Sequence, residues 1–214
     1  MNTLNPILGP ADIASIGQAL QGLAYPARDD LSESWQAEAT AFNDEVATLK
    51  SLVDDNAATL QLALDAADSG EIGSVAGLVS ASADNRLDNA QRIVTLWSTR
   101  KNLAEMAVDE FAVLKSEADT KLDKVLKVVE ADLEKVGAGL STQRAIEANP
   151  KAARRTFDLQ IRSNARSRPA IARANDLKHR KEAAQVAAND CNFGEATARK
   201  YLKTLILASA GVTV

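Results

Sequence analysis

The sequence predicts an all-α protein, an elongated bundle of two long, coiled-coil-like helices with shorter helices at its N- and C-terminal ends. Forty of the 214 residues are alanine, the strongest helix former, and only eight are aromatic. Glycine and proline are absent from residues 27–69 and again from residues 78–136. Within both stretches apolar residues recur every seven positions, and no alternating strand pattern of useful length occurs in the sequence.

Residues 1–30 are predicted to form a short helix and turns. Glycine and proline crowd the first 26 residues, which favours a helix of about Pro10–Ala24 between turns. The N-terminus has neither the basic region nor the continuous apolar core of a signal peptide. No run approaches the roughly 18 apolar residues of a membrane-spanning helix. We therefore expect no signal peptide and no transmembrane segment.

Residues 31–137 are predicted to form a long helical hairpin, whose glycine-rich connector spans residues 68–82. In the first helix, two tracks of residues seven apart are apolar at nine of ten positions, the spacing of a coiled-coil seam. The tracks are Ala39, Val46, Val53, Leu60 and Ala67, and Trp35, Phe42, Leu49, Asn56 and Ala63. Trp35, Phe42 and Leu49 are the candidate seam residues of this helix.

The second stretch carries the same period over more heptads. Twelve of fifteen positions on its two tracks are apolar, and its candidate seam residues are Val94, Trp97, Val108 and Phe111. A helix over residues 84–136 would be about 80 Å long, against a diameter of roughly 45 Å for a compact domain, so we expect an elongated protein. A long amphipathic helix in an ordinary bundle is the alternative interpretation.

Residues 138–214 are predicted to be a basic region of shorter helices. Gly137 is well placed to cap the preceding helix. The pairs Asn149-Pro150 and Arg168-Pro169 each predict a helix start, because proline is favoured in the first turn. A last helix is expected over about Gly194–Ser209.

Positive charge is concentrated in this region. Residues 143–181 contain eleven Lys and Arg against three Asp and Glu, whereas residues 1–142 contain eleven against twenty-three. Arginine outnumbers lysine six to one over residues 151–173, which favours bidentate contacts with carboxylates or phosphates. On an ideal helix four arginines would share one face: Arg155, Arg162, Arg166 and Arg173. Pro169 is expected to break this stripe after its third member. The candidate contact residues are Arg154, Arg155, Arg162, Arg166, Arg168 and Arg173.

Three interpretations of this basic segment are open. It could dock on the acidic helices of the same chain or of a neighbouring subunit, which the segregation of charge favours. It could contact nucleic acid through phosphates, although Phe157 is its only ring for stacking on bases. It could also bind an anionic membrane surface, which is less favoured because its apolar residues are mostly alanine.

The sequence predicts no catalytic, cofactor-binding or metal site. His179 is the only histidine and lies in a basic run, and Cys191 is the only cysteine. Asp176 and His179 have the spacing of helical di-iron ligands, but such sites need that motif twice with two further glutamates. No P-loop, dinucleotide-binding turn or zinc-ligand spacing occurs. Trp35 and Trp97 fall at seam positions, which favours packing over ligand binding.

We therefore expect a non-enzymatic structural or adaptor protein that forms an elongated homo-oligomer within a larger assembly, of which a virus particle is one kind. Its partners would be itself and other assembly proteins. Contact with nucleic acid through residues 151–181 is the alternative. A single cysteine and no signal peptide favour a reducing interior, either the cytoplasm or a viral particle.

Overall fold

The protein is all-α in the part of the chain that the structure describes. The computed structural model describes residues 20, 22–26, 28–135 and 148–209, and no strand occurs among them. The helices with defined bounds are α1, Glu33–Asp68; α2, Ile72–Lys135; α3, Pro150–Ser163; and α4, Arg168–Ser209. The predicted all-α class is confirmed. The expected helix of about Pro10–Ala24 falls largely outside the described residues, as does the expected cap at Gly137.

Both ends of α1 have local signals. The Ser32 hydroxyl accepts a hydrogen bond from the backbone N–H of Trp35 at 3.2 Å, which satisfies a free donor of the first turn. At the other end Gly70 has φ 80°, a left-handed conformation that suits glycine. The N–H of Glu71 donates to the Ala66 carbonyl and that of Gly70 to the Ala67 carbonyl, the paired bonds of a Schellman motif.

The connection between α1 and α2 is shorter than the predicted connector of residues 68–82. Because α2 begins at Ile72, residues 69–71 make the turn, and Gly73 and Gly77 lie inside the helix. A Cβ at Gly73 or Gly77 would meet nothing within 4 Å, so no close contact requires glycine there. A glycine inside a helix costs only about 1 kcal/mol relative to alanine, which a long packed helix tolerates.

The C-terminal region contains one long helix where shorter ones were expected. α4 is 42 residues long and passes through Gly194, so the prediction that a helix starts there is wrong. The reason is packing: a Cβ on Gly194 would lie 2.5 Å from ring atoms of Trp97. The buried residues of α4 include five that are spaced seven positions apart: Leu177, Ala184, Cys191, Ala198 and Leu205.

The chain divides into two compact units, and the division falls within α2 and within α4. Unit 1 contains α1, α2 as far as Met106 and α4 from Gln185 onwards. Its largest buried side chains include Trp35, Phe42, Leu49, Leu96 and Leu103. Unit 2 comprises residues 107–184, and its core includes Phe111, Val129, Ile161 and Leu177. The predicted boundaries at residues 30 and 137 stay a prediction.

Unit 1 also buries a polar layer between its helices. Asn56, at one of the α1 track positions, is 2% exposed, and Asn89 of α2 is 6% exposed. Neither polar atom of the Asn56 amide has a hydrogen-bond partner among the described residues, and the same holds for Nδ2 of Asn89. Both residues line a small cavity of about 10 Å³, together with Arg86 and Tyr201. A polar residue in an apolar seam fixes helix register at a cost in stability.

Candidate functional site

The six candidate contact arginines lie on α3, on the turn that follows it and at the start of α4, all within unit 2. We call them the basic surface. α3 starts as the sequence predicts: Asn149 accepts a hydrogen bond from the N–H of Ala152 at 3.2 Å, and Pro150 is the first helical residue. The helix is amphipathic, since Ala153 and Ile161 are buried. The arginines of α3, Arg154, Arg155 and Arg162, are exposed.

The arginine stripe is broken after its second member, earlier than the break that the sequence places at Pro169. α3 ends at Ser163, well before Pro169, and the backbone N–H of Arg166 donates to the Asn164 side chain at 2.9 Å. An asparagine that bonds the backbone two residues on favours a turn over a continued helix. Arg155 and Arg162 still share one side of α3, about 20° apart at the usual 100° per residue. Arg166 lies in the turn and Arg173 on α4.

Only part of the basic surface has acidic partners among the described residues. Arg166 Nη1 lies 2.9 Å from Asp132 Oδ2 of α2, with the two side chains 72% and 49% exposed. Arg173 Nη1 lies 3.4 Å from Asp176 Oδ2 on its own helix. Arg168 Nε donates to the Ser163 carbonyl at 2.9 Å. Exposed ion pairs contribute less than about 1 kcal/mol, so the two ion pairs hold the side chains of Arg166 and Arg173 in place only weakly.

The arginines of α3 are open to an external anion. Arg154, Arg155 and Arg162 make no ion pair with any described residue, and α3 carries one acidic residue, Asp158, against four basic ones. Each guanidinium presents a planar fork of donors that matches a carboxylate or a phosphate. Leu159 beside them is 66% exposed. This arrangement can bind an anionic surface.

Five of the seven candidate seam residues are buried. Trp35, Phe42 and Leu49 are buried, as are Val94 and Phe111, whereas Trp97 and Val108 are half-buried. On α1 nine of the ten track positions are buried, and Ala67 is the exception. The indole N–H of Trp35 donates to the Leu103 carbonyl at 2.9 Å, so this ring is both buried and satisfied. Supercoiling of these helices around another chain stays a prediction.

A cluster around Tyr25 and Arg100 in unit 1 was not singled out from the sequence. The Tyr25 hydroxyl donates to the Arg100 carbonyl at 2.8 Å, and the Arg100 guanidinium lies 5.2 Å from the Tyr25 ring centroid and 5.7 Å from that of Trp97. Burial raises the pKa of Tyr25 to about 12. Because the partners are 75 residues apart in the chain, no local pattern could reveal the contact.

The residues considered for chemistry have structural surroundings. His179 is 76% exposed and lies 3.5 Å from Glu182, while Asp176 pairs with Arg173 and Arg180. Cys191 is fully buried, and burial raises the pKa of its thiol although the Arg100 guanidinium acts in the opposite direction. Among the described residues no group of three or more His, Cys, Asp or Glu could hold a metal ion.

In its described part, α4 exposes three large apolar side chains that the sequence analysis did not single out, Val186, Phe193 and Ile206. Phe193 is 79% exposed and Val186 is 58% exposed, although both lie well inside the helix. They are seven residues apart and therefore share one side of α4. Their seven-residue spacing is the signal in the sequence. It repeats the spacing of the buried residues Ala184, Cys191 and Ala198, shifted by two positions along the chain.

No protein-family model, curated protein or solved structure matches this chain. Across the described parts of the four helices, no segment is both long enough and apolar enough to cross a membrane.

Proposed function

We propose that the protein is a non-enzymatic structural or adaptor component of a larger assembly, in which it associates with further copies of itself through exposed helix faces. The observation that carries this proposal is Phe193, whose ring is 79% exposed on a helix that is buried on its other side. Aromatic side chains are enriched at protein interfaces, where their burial contributes much of the binding energy. The seven-residue periods of α1 and α4 suit a helical scaffold.

The proposed setting is a reducing interior, either the cytoplasm or a virus particle, with other assembly proteins as further partners. The single cysteine supports this setting, because Cys191 is buried and the described chain holds no disulfide. The basic surface gives the assembly a second, electrostatic contact.

Nucleic acid is the second candidate partner, and one observation favours it. Arg154, Arg155 and Arg162 are exposed on one helix without an acidic partner among the described residues, although the acidic α1 and α2 belong to the same chain. Phosphates would satisfy these guanidinium groups by charge-assisted hydrogen bonds. An acidic helix of a neighbouring subunit would satisfy them equally, and an anionic membrane surface remains the least favoured partner.

Sedimentation of the wild-type chain together with DNA retention across a salt titration tests the proposal. A structural protein is expected to self-associate without nucleic acid and to hold DNA only weakly, with retention lost near physiological salt. A monomer that retains DNA at physiological salt would favour nucleic-acid contact instead. Replacing Arg154, Arg155 and Arg162 by Gln tests whether self-association or DNA retention depends on the basic surface. The control replaces the exposed Lys121, Lys124 and Lys127 of α2 by Gln, which changes the net charge equally.

A further inference from the structure

One side of α4 in unit 1 carries exposed apolar residues between charges of opposite sign. We call it the outer face and define it by Val186, Asp190, Phe193, Ala196, Lys200 and Lys203, all of which are exposed. The apolar members lie towards the N-terminal part and the centre, the acid lies before Phe193, and the two lysines lie after it. The face therefore has an acidic half and a basic half.

The charges of the outer face have no ion-pair partners in the described chain. Asp190, Lys200 and Lys203 form no salt bridge with a described residue, whereas neighbouring Arg199 pairs with Glu195 at 2.6 Å. Phe193 is the most exposed of the large apolar residues in the described chain, and it lies between these charges. An exposed aromatic ring beside charges of both signs that have no ion-pair partner among the described residues is the composition expected of a binding surface with a polar rim.

We propose that a second copy of this chain occupies the outer face, with the two α4 helices antiparallel; this proposal rests on the proposed function and names the surface that performs it. In a parallel pair Asp190 would face Asp190, and each lysine would face its own counterpart. In an antiparallel pair, Asp190 of each copy lies opposite Lys200 of the other. Because of the twofold axis, this contact between Asp190 and Lys200 occurs twice in the dimer.

The same register gives Phe193 a small partner. When Asp190 lies opposite Lys200, the twofold axis passes close to Glu195, and Phe193 of one copy lies beside Ala196 and Thr197 of the other. Small side chains at that position leave room for the ring, as a hole receives a knob between packed helices. Val186 then lies next to Lys203 of the other copy, whose aliphatic stem can cover it. Apolar contact and charge pairing thus require one and the same register.

The contact is short, and the dimer is therefore expected to be weak. From Val186 to Lys203 the helix is about 27 Å long at the usual rise per residue. Interfaces that bury less than about 1,200 Å² belong to the weak or transient class. We expect dissociation in roughly the micromolar range.

Sedimentation equilibrium of the full-length chain and its variants tests the apolar contact. Phe193→Ser removes two rings from each dimer and is expected to weaken dimerisation by about 100-fold, given the burial energy of a phenylalanine side chain. The control is Leu62→Ser on α1, which removes another exposed apolar side chain, 58% exposed, from a different surface. Leu62→Ser is expected to leave the dissociation constant unchanged. An equal effect of both variants would overturn the proposal.

Charge exchange tests the orientation. Asp190→Lys and Lys200→Asp should each weaken the dimer by about tenfold, because each places like charges opposite one another twice, and the double variant should restore wild-type affinity. Asp44→Lys, an exposed site on α1, is the control for net charge. In a parallel dimer Asp190→Lys would not weaken association, and the double variant would bring no rescue over Lys200→Asp alone. That result would overturn the antiparallel pairing.

The outcomes separate the pairing from the proposed function. If the wild type self-associates but neither the Phe193 variant nor the charge variants change its affinity, the outer face is not the interface, while the proposed function stands. If the wild type is a monomer at every concentration, both fail. If it is a monomer and Phe193→Ser also lowers its melting temperature, the chain itself covers the outer face, which equally overturns pairing with a second copy.

Discussion

Gly194→Ala should destabilise the protein even though alanine is the better helix former. Gly194 lies in the interior of α4, and a Cβ there would approach ring atoms of Trp97 to 2.5 Å. Real Cβ atoms do not come this close to a ring, so either the indole or the helix must move. The indole also lies 5.7 Å from the Arg100 guanidinium, which in turn contacts Tyr25, so the shift disturbs a connected cluster.

The magnitude follows from two opposing contributions. Inserting a methyl group into a packed contact costs about 1–3 kcal/mol, and disturbing the cation–π contact adds about 0.5 kcal/mol. Replacing glycine by alanine in a helix contributes about 1 kcal/mol of stability. The expected net loss is about 1–2 kcal/mol. Gly77→Ala in α2 is the matched control, because a Cβ there meets nothing within 4 Å. It should stabilise by about 0.5–1 kcal/mol.

Urea denaturation followed by circular dichroism measures both variants. The two should differ by roughly 2–3 kcal/mol in the free energy of unfolding, with Gly194→Ala below the wild type and Gly77→Ala above it. Tryptophan fluorescence should shift in Gly194→Ala alone, because Trp97 is the ring displaced. If Gly194→Ala matches or exceeds the stability of Gly77→Ala, the ring does not lie against α4, and the account of the helix in unit 1 is refuted.

Four further predictions test the cores of the two units. Phe111→Asp should unfold or strongly destabilise unit 2, by several kcal/mol in thermal melts, because Phe111 is 0% exposed and an unpaired buried carboxylate is costly; unchanged melting would contradict this. Cys191, also 0% exposed, should react with a thiol reagent only upon unfolding, and rapid reaction of the native chain would refute its burial. Burial raises the pKa of Tyr25 to about 12, so the unfolded state releases this proton first as the pH rises above 10. The free energy of unfolding should therefore fall between pH 10 and 12, and by less in Tyr25→Phe; equal slopes would count against the burial of the hydroxyl. Asn56→Leu should raise the urea midpoint and increase the free energy of unfolding by about 1 kcal/mol, because both amide atoms lack partners among the described residues. A loss of stability would show that the amide is satisfied.

The seam of α1 could be predicted from the sequence because its information is local. A helix repeats every 3.6 residues, so residues seven apart lie on one side whatever they contact, and nine of the ten track positions are indeed buried. The identity of the contacting residues is not local. Tyr25 meets Arg100 across 75 residues of chain, and no spacing encodes that contact.

The length of α4 was mispredicted for a related reason. Glycine is unfavourable inside a helix, so Gly194 indicated a helix start, and only the packed Trp97 ring explains its interior position. The arginines of the basic surface were found by composition, which requires no structure. Their division between α3, the turn and α4 depends on the Asn164 side chain, whose bond to Arg166 competes with the helix.

The central claim is that this helical protein associates with itself, and sedimentation equilibrium of the unmodified chain tests it most directly. The chain mass is 22.7 kDa. Between about 1 and 100 µM, the range that brackets the expected dissociation constant, the apparent mass should rise reversibly from that value towards twice it. A constant mass of 22.7 kDa over the whole range would contradict the claim.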